Sequence, residues 1–278
     1  MVFYWDFEKA FDKVHWWTLN EEMYLHRFSN GHGHYFQNWL RGSRQYVQVG
    51  DSASETIEVT SSIKQGSIFA GKVGFTIVIN SLFRRLKKKA KQLGIEEYFV
   101  IKSYADDTKF CLPIRKGVPI EIEEDIHQQM INEFHGWVKD RQLFINGKKS
   151  VKLSIGGSLP DDYMVFIDGN EIKSSKSETD LGIITTDTLS WKKHLQTKSN
   201  DAQRIIYSLN YLIPRISYSR QLMIYNALVR SILIYGSTIT FPQNQAEEKI
   251  LRKPFKLFWK LAGKPPEGAK NRSHLGSS

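Results

Sequence analysis

A chain of 278 residues with 41% hydrophobic side chains is long enough for one or two domains with a sizeable core, and too apolar for a disordered polypeptide. Its lone cysteine, Cys111, excludes an internal disulfide, a disulfide-rich scaffold and any zinc finger built on several cysteines, and fits a reducing setting in the nucleus or cytoplasm. The formal net charge of +10 is uneven: residues 201–278 hold 12 Lys and Arg against 4 Asp and Glu, while residues 1–200 hold 27 against 25, so the C-terminal part suits a polyanionic partner, a plain basic surface being the alternative.

In chain order, Val2-Phe3-Tyr4-Trp5 is an apolar, strand-like run that Asp6 ends, and Ala10-Phe11-Asp12 leads into a helical pattern. Trp16, Leu19, Met23 and Phe28 recur at roughly helical spacing and read as core. The glycines of Asn30-Gly31-His32-Gly33-His34 predict a loop. Its two histidines lack a third ligand nearby, so the loop is not read as a metal site. A short helix over Tyr35–Leu40 follows. Gln45–Gly50 and Thr56–Thr60 each alternate polar and apolar residues and predict a hairpin. A Gly-containing loop over Ser62–Gly74 runs into a helix from Phe75, which Gly94 terminates. Arg84–Lys91 holds six basic residues in eight, which suits a nuclear-import signal or phosphate contact, or equally a solvated helix end.

The next stretch carries chemistry. Tyr98-Phe99-Val100-Ile101 and Phe110-Cys111-Leu112 flank Lys102–Lys109, predicting a β-hairpin with Asp106 and Asp107 at its tip. Adjacent carboxylates repel, and a divalent cation relieves that repulsion. An ordinary Asp-Asp turn is the alternative. Asp6, at the end of a separate apolar strand, favours the cation: three carboxylates together suit Mg²⁺. Two such ions can clamp the attacking and leaving oxygens of a phosphoryl transfer.

Ile120–Lys139 reads as a helix with Ile122, Ile126, Met130, Phe134 and Trp137 down one side, covering the back of the sheet. Val151–Ile155 and Met164–Ile167 read as strands. A helix from Lys192 through Leu212 is ended or kinked by Pro214, and a second runs from Gln221 to Tyr235. A third, Ile250–Ala262, sets Leu251, Phe255, Phe258 and Trp259 on one side, with Lys253, Lys256 and Lys260 toward others. No apolar run reaches membrane-spanning length and no basic-then-apolar leader is seen, so no membrane partner is expected.

Three of these stretches resemble, in order and spacing, the motifs of reverse transcriptases from non-LTR retrotransposons, the jockey-like LINE group. Asp6-Phe7-Glu8-Lys9-Ala10-Phe11-Asp12-Lys13-Val14 resembles the first, and Tyr104-Ala105-Asp106-Asp107 the third. Between them, Ile63-Lys64-Gln65-Gly66-Ser67 with Phe75–Leu82 resembles the second. This second stretch departs from the pattern: Ser62 and Lys64 stand where Gly and Pro are usual, and Asn80-Ser81 where Asn-Asp is usual. Leu143–Ser150 resembles the fourth motif, Leu181–Trp191 the segment that grips the primer end, and Ala227 and Gly236 match the family's thumb.

The resemblance implies an α+β fold, a right-hand polymerase palm of antiparallel sheet backed by helices over residues 1–191 and a helical thumb over 192–263. A disordered tail over 264–278 is expected, and the family's fingers region is expected to be missing ahead of Met1. It implies an RNA-directed DNA polymerase that joins dNTP to a primer 3′-hydroxyl, with an RNA template and a DNA primer as partners; the alternative is an inactive relic that only binds nucleic acid. By the same resemblance Asp6 and Asp106 bind two Mg²⁺ ions, with Mn²⁺ as a substitute, Asp107 supports them, and the Phe7 carbonyl completes one shell. Phe11 lies under the nucleotide sugar, and Gln65 and Gly66 hold template base and sugar. Lys149 matches a lysine that protonates the leaving pyrophosphate, a surface turn lysine being the other reading. Leu181 and Gly182 contact the primer, and Lys253, Lys256 and Lys260 face the duplex.

Overall fold

The computed structural model describes residues 1–59, 61, 73–157, 159–160 and 163–263. They form two compact units, one ending at Ser175 and the other beginning at Lys176. The division falls ahead of the expected boundary at 191/192, because the hairpin over 177–186 packs with the helices that follow it.

In chain order the first unit holds strand β1 (Val2–Trp5) and helices α1 (Ala10–Lys13), α2 (Trp16–Leu25) and α3 (Asn30–Leu40). Four two-residue strands follow, β2 (Arg44–Gln45), β3 (Gln48–Val49), β4 (Ser52–Ala53) and β5 (Ile57–Glu58). Then come helix α4 (Phe75–Gln92), strands β6 (Val100–Tyr104) and β7 (Asp107–Cys111), and helix α5 (Ile120–Asp140). Strands β8 (Val151–Leu153), β9 (Phe166–Ile167), β10 (Asn170–Glu171) and β11 (Lys173–Ser175) complete the unit.

Five strands make one sheet in the order β11-β8-β1-β7-β6. All its pairings are antiparallel except β11 with β8, so the sheet is mixed at that edge rather than purely antiparallel. Alternation along β1 decides the two faces. Phe3 and Trp5 turn inward with Phe110 of β7, and the Trp5 ring lies 4.5 Å from Phe134 of α5. Phe7 continues that side, edge-on to Phe75 of α4 and Trp137 of α5. Phe3, Phe75, Phe110, Phe134 and Trp137 are fully buried, each worth roughly 2–3 kcal/mol by area removed from water. Trp137 keeps its indole N–H satisfied by donating to Ser81 Oγ at 2.8 Å, which ties α5 to α4. The opposite face carries Tyr4, Lys109, Cys111, Lys102 and Tyr104, none of them buried.

Some expected elements shift. The glycine loop at 30–34 is the first turn of α3. A Cβ on Gly33 would sit 3.0 Å from the Asn20 side chain of α2, so that glycine permits close helix approach rather than a turn. Residues 44–58 form a hairpin, interrupted and exposed throughout. Ile122, expected in the apolar stripe of α5, is half exposed, and Glu123 takes the inward place. Its carboxylate accepts from Arg115 N and Nε at 3.0 and 2.7 Å. The arginines of the basic run are engaged in ion pairs within the unit. Arg84 pairs with Glu22, Arg85 with Glu133 and Asp140, and Lys89 donates to Gln129.

The second unit begins with strands β12 (Ser177–Asp180) and β13 (Ile183–Thr186) and helix α6 (Lys192–Ser208). A 3₁₀ turn at Ile213–Arg215 leads to α7 (Tyr218–Ile224), a π-helical stretch at Tyr225–Arg230, α8 (Ser231–Ile234) and α9 (Gln245–Ala262). Helix α6 ends four residues before Leu212, and α9 starts five before Ile250, where Asn244 Oδ1 caps the Glu247 N–H at 2.9 Å. Ala202, Ile206, Ile213, Val229, Phe258 and Trp259 form this unit's core. Pro254 lies inside α9 and cannot donate to the Ile250 carbonyl; Ser199 Oγ of α6 donates to it instead, at 2.9 Å. The expected tail, residues 264–278, lies outside the described residues.

Candidate active site

The register of β1 on β7 pairs Trp5 with Thr108 and Tyr4 with Lys109. One further step sets Asp6 across from Asp107, and alternation turns both toward the open face of the sheet. Strands β6 and β7 close at the pair Tyr104–Asp107, leaving Ala105 and Asp106 as the turn. Ala105 has a left-handed φ of 54° at the first turn position, where glycine is the usual residue. Ser103 Oγ donates to the Ala105 carbonyl at 2.8 Å and lies 3.0 Å from Thr108 Oγ1, which braces the turn from below.

Asp107 senses its neighbours. Burial first, then the charges of Asp106 and Asp6, hold its carboxyl above the ordinary value, while Lys109 pulls the other way.

Asp6 is held by the chain at 144–150. The Asn146 N–H donates to the Asp6 carbonyl at 2.8 Å, the Glu8 N–H to the Phe144 carbonyl at 2.9 Å, and the Asp6 N–H to Ser150 Oγ at 3.4 Å. Phe7 and Ile145 form the antiparallel bridge between these bonds. Its hydrogen bonds are carried by the flanking residues, so the bridge leaves the Phe7 carbonyl out. The same stitching delivers Lys149, whose Nζ lies 3.7 Å from Asp6 Oδ2. Asn146, Ser150, Ser103 and Thr108 were not singled out in the sequence; a hydroxyl or amide beside each motif was the available signal.

The donor set suits a hard cation: carboxylate oxygens on two adjacent strands, with a backbone carbonyl beside them. Their mutual repulsion at Asp107 is the kind a divalent ion relieves. Among the described residues, no three His, Cys, Asp or Glu side chains converge closely enough to form a metal cage as they stand. The three-carboxylate cluster expected of Asp6, Asp106 and Asp107 is thus not drawn together as a ligand cage among the described residues.

Phe11, on α1, is half buried with its ring 5.1 Å from Phe75. Gln65 and Gly66 lie outside the described residues. A cleft of about 120 Å³ opens beside the hairpin turn, lined by Thr76, Ile79, Asn80 and Phe83 of α4 with Ser103 and Ala105. In the second unit Leu181 and Gly182 form the β12–β13 turn, and Lys253, Lys256 and Lys260 are exposed on α9. The structure brings Lys149 to within 3.7 Å of Asp6 and sets Asp106 and Asp107 at the β6–β7 turn, with Phe11 on the following helix.

Residues 1–197 match the family described as reverse transcriptase (RNA-dependent DNA polymerase). The chain belongs to the reverse transcriptase family. The RNA-directed DNA polymerase from mobile element jockey of Drosophila funebris is 23% identical over 199 residues, which are 69% of this chain and 21% of that protein. The chain therefore spans about a fifth of that relative's length, and the likeness is to a LINE-type reverse transcriptase. Among solved structures, telomerase from Candida albicans, in complex with a TWJ fragment of telomeric RNA, is similar over 95% of this chain and 44% of its own, with 12% identity and a TM-score of 0.36. The reverse transcriptase assignment accords with the palm-like α+β arrangement of the first unit, and reverse transcriptases use divalent metal ions. No described helix is long and apolar enough to cross a membrane. Cys111, half buried in β7, is a free thiol.

Proposed function

We propose that this chain carries the nucleotidyl-transfer site of an RNA-directed DNA polymerase of a mobile element, with unit Met1–Ser175 as palm and the following helices as thumb. The observation that carries the reading is the register of β1 on β7, which ends at Trp5–Thr108 and so supports Asp6 lying beside the turn that holds Asp106 and Asp107.

Asp6 and Asp106 hold two divalent cations, Mg²⁺ or Mn²⁺, with the Phe7 carbonyl as a further oxygen donor and Asp107 supporting the pair electrostatically. When bound, such ions favour the ionised primer 3′-hydroxyl and offset the charge of the triphosphate. The protein's own work is positioning. The primer brings its own nucleophile, so no Ser, Cys or His serves as one. Lys149, already beside Asp6, holds a proton within reach of the leaving pyrophosphate. Phe11 forms the floor under the sugar and excludes a 2′-hydroxyl by size. Gln65 and Gly66 meet the template base and nucleotide sugar. Leu181 and Gly182 hold the primer, and Lys253, Lys256 and Lys260 follow the nucleic-acid backbone as point charges.

Primer extension tests this directly. The purified chain, given a DNA primer on an RNA template with dNTPs and Mg²⁺, is expected to extend the primer, and Asp106→Asn to abolish extension. Extension that survives Asp106→Asn rejects the assignment.

A further inference from the structure

The turn that links β12 to β13 is unusual in its support. Leu181 and Gly182 both have left-handed φ, 47° and 77°, the two-residue hairpin geometry that matches strand twist but strains a leucine. Two contacts from one residue hold it. Tyr235, the residue after α8, donates its hydroxyl to the Leu181 carbonyl at 2.6 Å. A Cβ on Gly182 would lie 3.2 Å from the same Tyr235 ring, so the turn and the ring are in van der Waals contact. Behind them the buried His194 of α6 accepts the Ile184 N–H on Nδ1 at 3.2 Å, and the Tyr235 backbone lies beside the same ring. Gly236, with φ of 72°, lets the chain pass the Ile183 side chain, where a Cβ would sit 3.0 Å away. The π-helical stretch at Tyr225–Arg230 precedes this point and widens the helix just before Tyr235. Lys198 caps the outer face of the ring, its Nζ 5.0 Å from the centroid.

The tyrosine is half exposed, so burial alone does not explain its seat. Its hydroxyl is spent on a strained backbone carbonyl at a turn tip 54 residues away in sequence. We infer that Tyr235, seated by His194, is the positioning residue that fixes the Leu181–Gly182 turn in its primer-holding shape. The proposal rests on the reading of that turn as the primer contact. Tyr235 touches the turn and not the reacting atoms; it acts through the turn's backbone.

The test is Tyr235→Phe, which keeps the ring and removes only the hydroxyl, beside Gly182→Ala, which pushes on the same contact from the other side. Affinity is read by fluorescence anisotropy for a labelled recessed primer–template and for a blunt duplex of equal length, with extension kinetics in parallel. Both variants are expected to weaken binding of the recessed end roughly tenfold, the scale of one lost hydrogen bond. Blunt-duplex affinity, the KM for dNTP and the melting temperature of Tyr235→Phe should stay at wild-type values. Equal loss on both ligands would mean that the hydroxyl merely supports the unit, and unchanged affinity for the recessed end would mean that it positions nothing; either overturns the proposal. A wild-type chain with no preference for recessed ends overturns it together with the reading of the turn as a primer contact, whereas wild-type preference kept in both variants overturns Tyr235 alone.

Discussion

The Lys149 ammonium lies 3.7 Å from Asp6 Oδ2, a pair drawn together across 143 residues by the bridge between Phe7 and Ile145. Both partners are open to water, so the pair adds under about 1 kcal/mol to stability. Its consequence is functional. Lys149→Met should leave the denaturant midpoint nearly unchanged, yet slow single-turnover dNTP incorporation by about 100-fold, the usual lower scale for a lost proton donor. Rapid-quench kinetics measure this, and an unchanged rate would return Lys149 to the role of a surface lysine.

Phe11 meets Phe75 at 5.1 Å and is only partly covered. Phe11→Ala should therefore cost about 1 kcal/mol of stability, half the value of a fully buried ring. It should also raise ribonucleotide incorporation relative to deoxyribonucleotide. Competition between the two sugars at fixed template measures that ratio, and an unaltered ratio rejects Phe11 as the floor under the sugar.

His127 sets a pH dependence. Its Nε2 faces the Pro113 carbonyl at 2.8 Å and its Nδ1 the Tyr163 hydroxyl at 2.5 Å, inside the buried core. Desolvation pushes its pKa from 6.5 down to about 4. The unfolded chain then binds the proton first as pH falls. The stability tied to the neutral ring is complete above pH 6.5 and is lost as pH drops from 6.5 toward 4, by about 2–3 kcal/mol at the bottom of that window. Urea unfolding at several pH values should show this slope, and His127→Gln should flatten it. An identical slope in the variant would assign the effect to the carboxylates instead.

Ser199 and Pro254 should couple. Ser199→Ala leaves the Ile250 carbonyl unpaired and should cost about 1–2 kcal/mol. In a Pro254→Ala background the restored N–H can serve that carbonyl, so the same Ser199→Ala change should cost less than half as much. A double-mutant cycle by chemical denaturation measures it, and strictly additive losses would show that the two residues act independently.

Local patterns made much of this molecule readable. The alternation of Val2–Trp5 and the hairpin around Asp106–Asp107 carried the site, because strand period and turn composition are written in neighbouring residues. Gly94, with φ of 67°, ends α4 where expected. Long-range placement was less accessible. Gly33 looked like a loop glycine because its reason is a neighbouring helix, not its own turn. Glu123 displaced Ile122 from the buried stripe because Arg115 waits for it. The start of α9 had a local signal that the apolar stripe concealed: Asn244 followed three residues later by Glu247, whose carboxylate returns to the Gln243 N–H. That Lys149 would reach Asp6 depended on Asn146 and Ser150, whose partners lie at the opposite end of the unit's sequence.

Divalent-ion binding bears most directly on the account. Mn²⁺ titrated into the purified chain and followed by electron paramagnetic resonance should show bound metal, with affinity lowered by roughly tenfold or more in Asp6→Asn and in Asp106→Asn alike, since each removes a charged oxygen ligand. Asp12→Asn, on the neighbouring helix α1, should bind as the wild type does. Binding that is indifferent to Asp6 while sensitive to Asp106 would separate the two strands and contradict a shared metal site across them.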